Sequence, residues 1–218
     1  MSQPIPPSSH PAKKQLPEVL TVRNAKEYIG ESLLIIFSVL LALLLTEWIT
    51  NMREKSEAKE LIHNIREEMI TNNTREQEQY NYDLQVIARI DSALSNINSL
   101  HQVVSDGEFH LTTIAPDGVQ YRYLDHVAWD IAKSRNILAH MDIRVISLVT
   151  WIYEEQTRIM KLEDEVAKVV LGREAGRSEQ ARETLLLIRN NYKAWAVDRA
   201  PGLLQRYKDV ISLLDNKN

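Results

Sequence analysis

Hydrophobic positions along the chain fall into one continuous block followed by a series of one-sided stripes. The block is GESLLIIFSVLLALLLTEWIT, residues 30–50, in which Ser32 to Thr46 carry no charge and are dominated by Leu, Ile and Val. Those fifteen residues as a helix rise about 22 Å, short of the ~30 Å hydrocarbon core of a bilayer. Extension from Tyr28 to Thr50 gives 23 residues, enough to span. Glu31 and Glu47 then fall near the two interfaces, where a carboxylate can reach water, and Tyr28 and Trp48 fall where interfacial aromatics belong. A cleavable signal peptide fits less well, because Thr46-Glu47-Trp48 follows the apolar run in place of a small-x-small site. A buried core helix also fits less well, since the block is apolar on every face. The expected anchor residues are Tyr28, Glu31, Glu47 and Trp48.

Beyond the block the spacing turns helical and one-sided. Leu61, Ile65 and Met69 recur at i, i+4 and i+8. The next segment, TNNTREQEQ (71–79), has no aliphatic residue, which predicts a break or a solvated stretch. Periodicity resumes with Tyr80, Leu84, Ile87, Ile90, Leu94, Ile97 and Leu100, close to a heptad seam, and Asp106-Gly107 should end this helix. Residues 107–118 read as a loop with a short extended piece, closed by the turn signal Pro116-Asp117-Gly118. A second stripe, Val127, Ile131, Ser134, Leu138 and Met141, precedes Asp142, a cap for a third helix with Val145, Leu148, Ile152, Ile159, Leu162, Val166 and Val169. Gly172 and Gly176 punctuate, and Ser178 is an N-cap candidate for a helix showing Ala181, Leu185, Ile188, Tyr192 and Trp195. Pro201-Gly202 should break it before a last helix with Leu204, Tyr207, Ile211 and Leu214.

The expected fold is all-α: one N-terminal transmembrane helix continuing into a long helix, followed by an antiparallel helical bundle with a single core. The expected organisation is a proline-rich tail over 1–25, the anchor over 26–50 and the bundle over 51–218. Composition agrees. Of 7 prolines five lie in the first 17 residues, and only 6 glycines occur, so the rest of the chain is nearly free of helix breakers. Net charge is −4 with basic and acidic residues interspersed, a poor footprint for nucleic acid. There is no cysteine, which excludes disulfides, thiol nucleophiles and cysteine-held metal clusters. Orientation is close to a tie. Lys13, Lys14, Arg23 and Lys26 precede the anchor, and Arg53, Lys55, Lys59 and Arg66 follow it. The orientation adopted is the amino tail inside and the large domain outside.

The stretch YIGESLLIIFSVLLALLLTEWITNMREK, with Gly30-Glu31 opening the block, Ala42-Leu43 late in it and Glu47-Trp48 closing it, resembles the amino end of uncharacterised bacterial single-pass membrane proteins. HVAWDIAKSRNILAHMD (126–142) and WIYEEQ (151–156) are similar to later helices of that family. The resemblance implies a bacterial single-pass inner-membrane protein with a helical soluble domain, and no reaction, cofactor or catalytic residue; the periplasmic side for that domain follows only from the orientation adopted above.

Candidate chemistry is sparse. The chain has no phosphate-binding glycine loop, no G-x-S-x-G elbow and no H-E-x-x-H. His126 and Asp130 at i, i+4, with His140 and Asp142 beyond, could begin a zinc or nickel site, but the two histidines are about 21 Å apart on a continuous helix, so no metal is expected. Glu67-Glu68 and Glu154-Glu155 point about 100° apart and have basic neighbours, which reads as surface ion pairing. Trp129, Trp151, Tyr153 and Trp195 read as core with a pocket as the alternative. Glu31 and Glu47 either reach the interfaces or pair with a partner helix. The expectation is a non-enzymatic, membrane-anchored interaction or scaffold protein without cofactor, whose partners are the lipid bilayer and a second copy or another membrane protein. A membrane-tethered sensor or small-ligand-binding bundle is the alternative.

Overall fold

The computed structural model describes residues 25–120, 122–135, 138 and 141–215. The tail expected over 1–25 lies outside them except for Ala25. The protein is all-α, with one two-stranded hairpin as its described sheet. It divides into two units between Thr50 and Asn51.

The first unit consists of the opening part of helix α1 (Ala25–Ser95). Large apolar side chains from Tyr28 to Ile49 are exposed all round it. Among the described residues one helix is long and apolar enough to cross a membrane, and none of its most apolar window is buried.

The second unit is a bundle built on the remainder of α1. Its inner seam runs through Ala58, Leu61, Ile65, Met69, Asn72, Glu76, Gln79, Asp83, Val86, Ile90 and Ala93, with Tyr82 buried beside it. From Met69 onward the steps alternate strictly three and four, the spacing that keeps one seam facing its partners. The break predicted over 71–79 is therefore absent. The seam continues there with polar side chains, and the Arg, Glu and Gln residues of that stretch are themselves good helix formers. The predicted stripe from Tyr80 to Leu100 holds in part: Ile90 is fully buried and Ile87, Leu94 and Leu100 pack against the core, but Leu84 is 41% exposed, while Tyr82 and Val86 are buried.

α1 does not run on to Asp106 but stops at Ser95. Asn96 takes an extended backbone and its side chain accepts from Asn98 N–H at 2.9 Å, capping α2 (Ile97–Val103). Val104–Ser105 (β1) and Glu108–Phe109 (β2) then pair antiparallel. Asp106 and Gly107 both have positive φ, 55° and 79°, the mirror-image turn that a two-residue hairpin requires and glycine permits.

α3 (Val127–Ser134) is shorter than its predicted stripe and turned differently. Val127 and Ile131 are exposed, and Ala128, Trp129 and Ala132 face the core. The indole of Trp129 buries more area than either aliphatic side chain, and the two alanines let it approach. Leu138 and Met141 still pack on the core edge, but beyond the end of α3. α4 (Ile143–Val170) is capped by Asp142, which accepts from Arg144 N–H at 2.8 Å, as the sequence suggested. Ser178 does not cap the next helix. It opens a short 3-10 turn, and α5 (Ala181–Asn191) follows from Gln180 without a side-chain cap bond. α5 passes into a π-helical turn (Tyr192–Val197), after which α6 (Ala200–Asp215) begins. Pro201 thus sits in the first turn of α6, where its missing N–H costs nothing, and the interruption falls at the π turn before it.

The bundle holds two apolar clusters in place of the single core predicted. One gathers Leu61, Ile65 and Met69 with Val149, Ile152, Leu203 and Tyr207; the other gathers Val86 and Ile90 with Leu162, Val166, Leu185 and Ile188. On α1 the residues between them are Asn72, Glu76 and Gln79.

Candidate functional site

Four successive positions of the α1 seam carry polar side chains, Asn72, Glu76, Gln79 and Asp83, each at most 1% exposed. Burying such groups is costly unless they are hydrogen-bonded, so each partner matters. Asn72 is fully matched: its Nδ2 donates to Asp125 O at 2.7 Å and its Oδ1 accepts from Asp125 N–H at 2.8 Å. Gln79 is matched too. Its Nε2 donates to Asp83 Oδ1 at 2.7 Å and to Val119 O at 3.2 Å, and its Oε1 accepts from Arg122 N–H at 2.7 Å. These bonds bind Val119, Arg122 and Asp125 onto α1, helped by Tyr82, whose hydroxyl donates to Gly118 O at 2.7 Å.

Glu76 is different. Its Oε2 has no hydrogen-bond partner among the described residues, and neither do Gln156 Oε1 and the Tyr192 hydroxyl. Burial, and then the charge of Asp83, push the Glu76 carboxyl up to about 8. Burial pushes Asp83 up to about 8 as well, against the opposing hydrogen bond from Gln79. Burial thus favours the protonated, neutral form of both carboxyls. Around them Tyr207 accepts from Gln156 Nε2 at 2.6 Å, and burial raises the Tyr192 and Tyr207 hydroxyls far above their ordinary range.

The acidic pairs noted in the sequence separate into inner and outer members. Glu67 is exposed and pairs with Arg66, whereas Glu68 is half-buried and accepts from Tyr153 OH and from Ala128 N–H. Glu154 is exposed beside Arg158, whereas Glu155 is buried and held by Arg158 Nη1 at 2.9 Å and Arg199 Nη1 at 2.8 Å. Surface pairing thus fails for Glu68 and Glu155: the inward helix face claims the second residue of each pair, and an arginine or tyrosine follows it in.

Trp129 stacks on Tyr153, centroids 5.5 Å apart and rings within 2° of parallel. Both line an open groove of about 650 Å³ between α3 and α4, with Leu138, Ile146 and Met160 in its apolar wall. His126 and Asp130 stand at its edge, 2.6 Å apart, with Lys133 2.8 Å from the same carboxylate. Lys133 and then His126 hold Asp130 below the usual carboxylate range. His140 lies outside the described residues, Asp142 is engaged at the α4 cap, and no group of three or more ligating side chains is gathered among the described residues. Trp151 and Trp195 lie apart, under Arg206 and Arg199. Tyr28, Glu31, Glu47 and Trp48 are exposed on α1, and nothing in the fold brings Glu31 to Glu47.

Sequence reading found Tyr192 and Tyr207 only as members of apolar stripes, and missed Asn72, Glu76, Gln79, Tyr82 and Asp83. The three-four spacing running unbroken from Met69 to Ala93 was the available signal. The chain matches no protein-family model, no curated protein and no solved structure.

Proposed function

We propose that the protein is a single-pass membrane-anchored interaction protein whose helical bundle assembles with a second copy or another membrane protein. One observation carries the reading. The helix that supplies the longest seam of the bundle also bears, over 28–49, an apolar surface exposed on all sides. Such a surface has no stable place in water, and a bilayer is the solvent that fits its length and aromatic ends. The resemblance at Gly30-Glu31, Ala42-Leu43 and Glu47-Trp48 supports a bacterial inner-membrane protein, and the near-even count of basic residues on the two sides of the anchor is read with the amino tail inside and the bundle in the periplasm. Chemical cross-linking in intact membranes, followed by mass photometry of the detergent-extracted protein, tests the assembly. Dimers or a co-purifying membrane protein are the expected result, and a strict monomer in both measurements overturns it.

A tethered sensor is the second reading. The open groove beside the Trp129–Tyr153 stack favours it, since it offers one aromatic wall and a charged rim to a small ligand. A thermal-shift screen of the full chain in detergent tests it, and stabilisation that Trp129→Ala abolishes is the supporting outcome.

A further inference from the structure

On α1 the carboxyl of Glu76 sits between the two core clusters and that of Asp83 at the near edge of the second, between Tyr82 and Val86, and no basic side chain bonds either of them among the described residues. We propose that this pair is a proton-binding element: the bundle is tight while both carboxyls hold a proton and loosens around them when they ionise.

Geometry carries the inference. Both residues are 1% exposed, so an ionised form has almost no water to turn to. Among the described residues Glu76 Oε2 has no donor, and the side-chain bond to Asp83 comes from the neutral amide of Gln79. Every element packed around them withholds compensating charge. From α4 comes Gln156, with its oxygen unpartnered, while the neighbouring Glu155 consumes Arg158 and Arg199. From α6 comes the Tyr207 hydroxyl and from the π turn that of Tyr192, both neutral. From segment 117–122 come Asp117, which turns its backbone N–H to Tyr82, and Arg122, whose Nε reaches out to Glu78 at 2.6 Å. On α1 itself Arg75 is engaged with Asp125, Arg89 is exposed, and Glu68 adds negative charge near Tyr207.

The sign follows from linkage. Burial raises both groups from the ordinary carboxylate range to about 8, so the folded bundle binds protons more tightly than the unfolded chain. Stability from this source is full in acid, declines as pH rises toward about 8, and is level above it. Neutral pH lies on the slope. Acidification of the compartment that holds the bundle therefore tightens it, whichever side of a membrane that is.

The test uses the full chain in detergent, as wild type and as Glu76→Gln, Asp83→Asn and the double variant, which keep shape and remove titration. Urea unfolding across about pH 5 to about pH 9 should show the wild-type folding constant falling by more than about tenfold, with the fall halved in single variants and absent in the double one. Infrared spectra supply a readout that survives any folding defect in the variants. Wild type at about pH 6 should show the C=O stretch of protonated, buried carboxylic acid, and that band should titrate away near pH 8. An identical pH slope in wild type and double variant, or no acid band in wild type, overturns the proposal.

Discussion

The Tyr153 hydroxyl on α4 donates to Glu68 Oε1 on α1, and Glu68 Oε2 accepts from Ala128 N–H, 2.9 Å away at the start of α3. One carboxylate thus ties three helices. Replacing Glu68 by Leu strands a buried hydroxyl and a helix-terminal N–H, and should cost about 2–3 kcal/mol in urea unfolding. Tyr153→Phe should cost less, about 1 kcal/mol, because half-buried Glu68 can turn to water and the stack on Trp129 survives. Equal losses in the two variants would mean that the carboxylate does not organise α3.

The seam of α1 makes a second prediction. Val86 is fully buried and Leu84 is 41% exposed, though the two are only two residues apart. Val86→Ala should cost about 2 kcal/mol, transfer and cavity together, and Leu84→Ala less than about 0.5 kcal/mol. The opposite ranking would restore the seam read from Tyr80, Leu84 and Ile87.

That displacement shows where sequence reading succeeds and where it stops. Leu61, Ile65 and Met69 were legible because apolar side chains of a half-buried helix announce its inner face. α4 was legible for the same reason, and Asp142 because a cap acts locally. The seam across Asn72, Glu76, Gln79 and Asp83 was not, because hydropathy marks polar residues as outward and only tertiary partners such as Asp125, Val119 and Arg122 turn them inward. Once those four are discounted, the next stripe slips to Leu84 in place of Val86, and it rejoins the buried seam at Ile90. On α3 the slip had another source: eight residues are too few for periodicity to outvote one tryptophan.

Gly176 makes a third prediction. A Cβ built there would lie 2.1 Å from Gly107 O, in the turn of the β1–β2 hairpin. Since backbone must move to make room, Gly176→Ala should cost about 1–3 kcal/mol. Gly202 in the first turn of α6 meets nothing within 4 Å, and Gly202→Ala should stabilise by about 0.5 kcal/mol. Paired melting curves of the two variants check both signs.

The apolar segment makes a fourth. If Tyr28–Thr50 spans a bilayer, Leu40→Glu puts a charge at mid-depth and should cost about 2.5–3.5 kcal/mol of insertion. Glu47→Gln, beside Trp48 at the interface, should leave membrane fractionation unchanged. Unaltered membrane recovery of Leu40→Glu would sink the single-span reading, and a lower cross-linked yield for Glu47→Gln or Glu31→Gln would assign that acid to a neighbouring helix.

The π-helical turn over Tyr192–Val197 constrains this chain by count more than by composition. Its wide winding leaves the Ala194 carbonyl to Arg199, whose Nε donates to it at 3.1 Å while Nη1 reaches Glu155 across the bundle. Lys193 and Ala194 can accept many other side chains. Removal of one residue there is another matter. It would wind the turn down to α geometry, swing Ala196 about 100° off the core and withdraw the guanidinium from a carboxylate with little water to replace it. At Lys193 and Ala194 substitutions are cheap and single-residue deletions are not, so relatives of this protein should vary in letters there but keep the same number of residues between Tyr192 and Arg199.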